Sequence, residues 1–284
     1  MFNLHTQIKG DPAHFRQMSC GESLITVYDC PLENKFEDLW SHYSYIVYVV
    51  EGRKIWHTTY GSFDLQEGNC VLIKKGACIV EQFFETKFCL ILFFIPDKFI
   101  CDVLKTKSTP LKKFNNTYQP VIPIDNNEAV QSFFNSMLTY FNSKQQPDSA
   151  ILDLKFRELI LTIADNPANA ELLSYFCALV KEPQTVTLQQ VMEENFCYNL
   201  KLEGFAELCT RSLSAFKRDF QNIYNSTPAK WLLEKRLAYA HHLLSNLGKT
   251  VAEASFESGF ENNSHFSRAF SKRFGVTPAS IKKK

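Results

Sequence analysis

The chain has no run of eighteen apolar residues among its 284, so a helical membrane span is not expected. Its first residues, Met1 to Asp11, lack a basic stretch followed by an apolar one. No secretory signal is expected, and the protein is assigned to the cytoplasm. No C-x-x-C pair occurs, although nine cysteines are present, at positions 20, 30, 70, 78, 89, 101, 177, 197 and 209. An odd, scattered set fits reduced thiols buried as small apolar groups, not a disulfide framework. Also missing are a Gly-rich phosphate loop, a nucleophile constellation and a closely spaced His-x-His pair; His42 and His57 stand alone. A divalent metal needs several converging N/O ligands. The expected catalytic residues, metal ligands and cofactors are therefore none, and a metal-dependent enzyme is the alternative reading.

What is present sets the scale. With 45% hydrophobic residues the chain can bury one large core or two modest ones, and at this length two domains are expected. The net charge of +1 hides an asymmetry: residues 183–284 hold 14 Lys and Arg against 9 Asp and Glu, leaving residues 1–182 with an acidic excess. A mildly basic carboxyl half suits contacts with phosphates.

One pattern occurs twice in that basic half. Phe216-x-Arg218-x-Phe220 followed by Thr227-Pro228-Ala229 returns as Phe266-x-Arg268-x-Phe270 followed by Thr277-Pro278-Ala279. Six fixed positions repeated at one offset indicate two related structural units. Phe at i and i+4 places two rings on one helical face, which Ile223 and Phe274 are expected to extend. At about 100° per residue, Ser214, Lys217, Arg218 and Gln221 lie roughly opposite those rings. The second copy presents Ser264, Ser267, Arg268 and Ser271 likewise. A short amphipathic segment precedes each copy, Leu202 to Cys209 and Val251 to Ser258, and Gly259 marks the second connection. The result is helix-turn-helix twice, about 202–224 and 251–274, with a polar, basic outer face suited to the DNA major groove.

The motif Ala254-x4-Gly259-Phe260-x3-Ser264-x-Phe266-Ser267-Arg268-x-Phe270-x3-Phe274-Gly275-x-Thr277-Pro278 resembles the DNA-binding domain of the AraC/XylS family of bacterial transcription regulators. The resemblance covers roughly residues 185–281. It implies DNA contacts at Ser214, Lys217 and Arg218 in the first unit, and at Asn263, His265, Ser267 and Arg268 in the second. Cys209 and Leu213 depart from the commoner pattern, and Lys272, Arg273 and the terminal Lys282-Lys283-Lys284 are weaker candidates. Thr227, with Pro228 at the first helical position, starts a connecting helix to Ser245, with Gly248 just beyond. Thr187 with Gln190 and Thr250 with Glu253 read as capping boxes at two further helix starts.

The amino half reads differently. Leu24 to Tyr28, Tyr45 to Val50, Lys54 to Tyr60, Cys70 to Lys74, Cys78 to Phe84 and Phe88 to Ile95 are short runs rich in Val, Ile, Phe and Tyr, with Gly-containing turns between several of them. Such spacing predicts a small barrel or jelly roll. Glu67-Gly68-Asn69-x-Val71-Leu72-Ile73-x-x-Gly76 resembles the barrel turn of cupin-type sensor domains. Tyr43, Tyr45, Tyr48, Trp56 and Phe83 are candidates to line an effector pocket or simply to fill the core. The Tyr45 to Trp56 hairpin is similar to the ExsA-type subgroup, activators of type III secretion in which a partner protein can control the amino-terminal domain.

From about residue 97 the pattern turns helical: a short helix near Asp97, an irregular stretch Thr109 to Asp125, then Asn127 to Phe141, a further helix carrying Ile151, Leu154, Leu159 and Ile163, and Ala168 to Val180. These apolar faces are expected to cover the underside of the barrel or to make a homodimer. The expected architecture is thus α+β with two domains. Residues 1–182 form a cupin-like sensor and dimerisation domain, and residues 183–284 an all-α domain with two helix-turn-helix units joined by a long helix. The family resemblance implies double-stranded promoter DNA, RNA polymerase, a second copy of the chain and a small-molecule or protein effector as partners, and activation more than repression.

Overall fold

A computed structural model describes residues 1–284 except 30–33, 85–86, 112–117, 144, 182–187 and 282–284. The chain divides into two compact units, Phe2–Thr185 and Val186–Lys284. The expected boundary at 182/183, the capping box starting at Thr187 and the terminal lysines lie outside the described residues.

In the first unit, β1 (Phe2–Asn3) and α1 (Leu4–Gly10) precede β2 (Gln17–Cys20), β3 (Ser23–Tyr28), β4 (Phe36–Ser41), β5 (Ser44–Glu51), β6 (Arg53–Thr58) and β7 (Gly61–Gln66). Then come β8 (Cys70–Ile73), β9 (Gly76–Gln82), β10 (Cys89–Ile95), α2 (Asp97–Leu104), β11 (Val121–Ile124), α3 (Glu128–Asn142), α4 (Ser149–Asp165) and α5 (Ala170–Lys181). The strands form two sheets, ordered β1-β4-β9-β6-β7 and β11-β8-β5-β10-β3-β2. Among the described residues all pairings are antiparallel except β1 with β4.

Of the expected barrel or jelly roll, the closed barrel is therefore corrected to two separate sheets with no ladder closing one onto the other among the described residues. Short, evenly spaced strands are shared by barrels and two-sheet folds, and only long-range pairing separates them. Leu24, Tyr45, Val47, Trp56, Val71, Val80 and Phe94 make one core. Alternate residues of the six-stranded sheet, Ile25, Ile46, Leu72, Ile91 and Phe93, join Phe133, Phe134, Phe156, Ile160 and Phe176 of the helices in a second. A sheet buried on both faces needs apolar residues at successive positions, and all six residues of β3 are buried.

The helices thus use their main apolar stripe on the sheet. Val130, Phe133, Phe134 and Met137 of α3 are buried, capped at the start by Asn127. On α4, Leu152, Phe156, Leu159 and Ile163 face inward while Ile151 and Leu154 stay exposed. The stretch read as irregular contains β11, whose Pro123 is tolerated because β11 is an edge strand. No helix among the described residues is long and apolar enough to cross a membrane.

The second unit is all helical: α6 (Leu188–Asn195), α7 (Leu202–Leu208), α8 (Leu213–Tyr224), α9 (Pro228–Ser245), α10 (Val251–Glu257) and α11 (Asn263–Phe274), closed by a short 3-10 turn at Pro278–Ser280.

Candidate nucleic-acid interface

The repeated motif folds into repeated local structure. Helix α7 ends with Thr210 N–H bonded to the Glu207 carbonyl at 2.8 Å and Arg211 N–H to Ala206 at 2.9 Å. Helix α10 ends with Gly259 N–H to Phe256 at 2.9 Å and Phe260 N–H to Ser255 at 3.0 Å. Both are Schellman ends, which need a left-handed residue just past the cap. Gly259 supplies it at φ +85° and Thr210 at φ +53°. The second connection is one residue longer: Cys209 to Ser212 in the first unit, Ser258 to Asn262 in the second.

Each following helix is then capped and ended alike. The Ser212 hydroxyl accepts from Ala215 N–H, and the Asn262 side chain accepts from the N–H groups of Ser264 and His265, satisfying donors that the helix leaves open. Asn225 and Gly275 close the helices in left-handed conformation. Thr227 caps α9, and Thr250 with Glu253 forms the capping box of α10.

Phe216, Phe220, Phe266 and Phe270 are fully buried. The expected extension of the first stripe through Ile223 is corrected, since Ile223 is 47% exposed. Tyr224 takes that place, stacked 4.5 Å from Phe220 and 5.3 Å from Trp231 of α9, as Phe274 lies 4.6 Å from Phe270. Angular spacing alone favours Ile223; the ring offered by α9 decides for Tyr224.

The opposite faces carry the anticipated contact residues. Ser214, Lys217, Arg218 and Gln221 share the exposed face of α8, and Asn263, Ser264, His265 and Arg268 are exposed on α11, with Ser267 and Ser271 half-buried. The Arg218 side chain is 72% exposed and pairs with its neighbour Asp219 at 3.3 Å, which Arg211 also holds at 3.0 Å. Arg268 Nε donates to the Ser264 carbonyl of its own helix at 3.2 Å. Long, exposed guanidinium groups on loose local partners can be recruited by guanine edges or phosphates. Arg273, in contrast, pairs with Glu234 of α9 at 2.6 Å and packs over the Phe274 ring.

Sequence reasoning passed over Arg236. Its Nε and Nη2 donate to the carbonyls of Phe196 and Tyr198, each at 2.6 Å. Its position inside the α9 pattern reads only as a charge on a connecting helix, so no local signal marks it.

The effector candidates do not share one cavity. Tyr45 and Trp56 meet inside the core between the sheets, with Trp56 Nε1 donating to the Tyr45 hydroxyl at 3.3 Å. Tyr48 points the other way and stacks at 4.3 Å on Phe134 of α3, because successive strand residues face opposite sides. Phe83, past the end of β9, lies under the Arg53 guanidinium at 4.8 Å. Tyr43 packs against His42 and His5. His42 therefore does not stand alone, since His5 of α1 lies 4.9 Å away and burial lowers the pKa of both rings. His57 is held by Glu81 and Ser62. No group of three or more His, Cys, Asp or Glu among the described residues could hold a metal ion.

Two exposed basic helices, each set on its own supporting helix and joined by α9, define a two-domain regulator with a paired helix-turn-helix module. Comparison with known proteins narrows this class. Residues 44–175 match the ExsA N-terminal regulatory domain, and residues 205–284 match a helix-turn-helix domain. The virulence regulon transcriptional activator VirF of Yersinia enterocolitica is 26% identical over 237 residues, 82% of this chain and 87% of that protein. The HTH-type transcriptional regulator ExsA of Pseudomonas aeruginosa is 32% identical over 126 residues, 44% of this chain and 45% of that protein. Among solved structures, a single-residue variant of apo ToxT from Vibrio cholerae covers 90% of this chain and 95% of its own at 14% identity and a TM-score of 0.43, too distant to bear on function. The chain belongs to the AraC/XylS family of transcription regulators. The metal-dependent enzyme reading finds no support among these relatives.

Proposed function

We propose that the protein activates transcription by reading two major-groove segments of promoter DNA, one with α8 and one with α11, and recruiting RNA polymerase there. The observation that carries this reading is the duplicated unit, with Arg218 and Arg268 exposed at equivalent places. Helix α9, of 18 residues, is about 27 Å long at about 1.5 Å per residue. Successive major-groove segments on one face lie about 34 Å apart, so the duplex would bend toward the protein. The names of the VirF relatives support activation.

The first unit is the regulatory part of this scheme. Its core between the sheets is filled by Tyr45, Trp56 and Phe94, which favours control by a protein partner over a small molecule enclosed there. Ile151 and Leu154, 43% and 68% exposed on α4, are the apolar surface for a homodimer. The site of action is the cytoplasm, where promoter DNA and RNA polymerase are.

Selection of bound fragments from the source genome tests the reading, with the Arg218→Ala/Arg268→Ala double variant alongside. Enriched fragments should share two short elements about one helical turn apart. Each single substitution should cost about 1–3 kcal/mol and relax preference at one base if the contact is to a base edge. Equal recovery by wild type and the double variant would refute the assignment of these helices as readers.

A further inference from the structure

The two reading units touch each other through more than the helix that joins them. The segment Phe196 to Asn199, which leads into α7 of the first unit, lies against the turn Gly259 to Glu261 of the second. A side chain at Gly259 would place its Cβ 2.5 Å from the Cys197 carbonyl oxygen and 3.1 Å from Arg236 Nε, so the second turn approaches this segment as closely as a bare backbone permits. Asn199 Nδ2 bonds Glu261 Oε1. Arg236, from the middle of α9, closes the junction with its two 2.6 Å bonds to the Phe196 and Tyr198 carbonyls. Phe196 also sets its ring edge-on to Tyr239 of α9, 5.5 Å away.

This arrangement ties three elements at one point. A guanidinium is a rigid planar fork, and two short bonds to nearby carbonyls fix both the segment and the α9 side chain in angle as well as distance. Burial opposes the charge on Arg236, while Glu261 nearby favours it. The same residues line a groove with Asn262 and His265 at the start of α11, so any slack here is carried directly into the second reading helix.

We propose that Arg236, with Asn199 and Gly259, is a positioning device that fixes the separation and phase of the two DNA elements the protein accepts. The inference rests on the reading of α8 and α11 as DNA readers. It assigns spacing discrimination to a junction remote from the bases. One added base pair rotates one element against the other by about 34° in a duplex of 10–10.5 base pairs per turn. A reader locked by Arg236 cannot follow that rotation, and a loosened one can.

The test uses the full chain and a duplex that this protein itself selects from a random-sequence library. Derivatives carry one or two inserted base pairs between the two protected elements. Wild type should lose about tenfold or more on each insertion, the scale of a mismatched element. Arg236→Lys keeps the charge but replaces the rigid planar fork with a single flexible ammonium that does not fix both carbonyls in angle, and should lose less than about threefold on the same insertions. Asn199→Ala removes one lighter contact and should fall between, giving a second reading if Arg236→Lys folds poorly. An Arg236→Lys variant weaker on every duplex by one common factor, with spacing discrimination intact, would overturn the proposal, as would a wild type indifferent to the insertions. Failure to select any duplex would refute the DNA-reading assignment itself, a distinct outcome.

Discussion

The two turns offer an internal comparison. Thr210 and Gly259 occupy the same left-handed position of the same Schellman end, yet only one is a glycine. A β-branched residue there costs about 1–2 kcal/mol over glycine in steric strain, because Cβ crowds the following carbonyl. Thr210 is exposed and its hydroxyl donates to the adjacent Cys209 carbonyl at 2.7 Å, a local contact that returns little of that cost. Glycine gives back roughly 0.5–1 kcal/mol through the greater freedom of the unfolded chain. Thr210→Gly is therefore expected to stabilise the second unit by about 0.5–1 kcal/mol. Gly259→Ala should do the opposite and more strongly. It adds the same left-handed strain and drives Cβ against the Cys197 carbonyl, for a loss of about 2–4 kcal/mol. Hydrogen exchange resolved by peptide measures both in the intact protein, since protection in α7, α8, α10 and α11 reports their local opening. Reduced protection in α7 and α8 of Thr210→Gly, or unchanged protection around Gly259→Ala, would refute this account of the turns.

Two further predictions concern the first unit. Lys54 is 1% exposed on β6, with its ammonium 3.7 Å from the Phe88 ring and 5.1 Å from that of Tyr28, and burial pushes its pKa down to about 7. The unfolded chain binds this proton more tightly, so stability should rise with pH between about 7 and about 10.5, the cost being fully present below that window. Lys54→Met should raise the thermal midpoint at pH 7, by up to about 4 kcal/mol in equivalent stability, and the gain should shrink toward pH 10; a gain independent of pH would contradict it. If the proposed homodimer packs on α4, Leu154→Glu, on the exposed side of that helix, should shift sedimentation toward monomer without loss of helix content, and a sedimentation profile identical to wild type would refute that surface.

Much of the second unit was legible in the sequence because its determinants are local. Thr227 and Thr250 cap helices within three residues of themselves, Pro228 presets the first turn of α9, and Phe at i and i+4 marks a buried stripe in both copies, whereas the caps at Ser212 and Asn262 came only with the structure. Exposure of Lys217, Arg218 and Arg268 follows from the same periodicity. The strands β3, β5, β6, β8, β9 and β10 announced themselves by β-branched and aromatic runs, whereas β4, with Glu37 and Asp38, and β11, with Pro123, did not. Which faces the strands used was legible only in part, so Tyr45 and Tyr48 were grouped although they lie on opposite sides of β5.

The amino-acid sequence by itself determined the helices of the second unit, their duplication and the chemistry of the exposed helical faces, since each depends on neighbours within one or two turns. Tertiary structure alone decided that the strands stack as two sheets, that Tyr224 and not Ile223 completes the aromatic stripe, and that Arg236 ties the segment before α7 to the turn after α10. The sheets and the Arg236 tie depend on groups dozens of residues apart, and the Tyr224 stripe on Trp231 of the next helix; burial of apolar surface and carbonyls that need a donor bring them together, and periodicity carries no record of either.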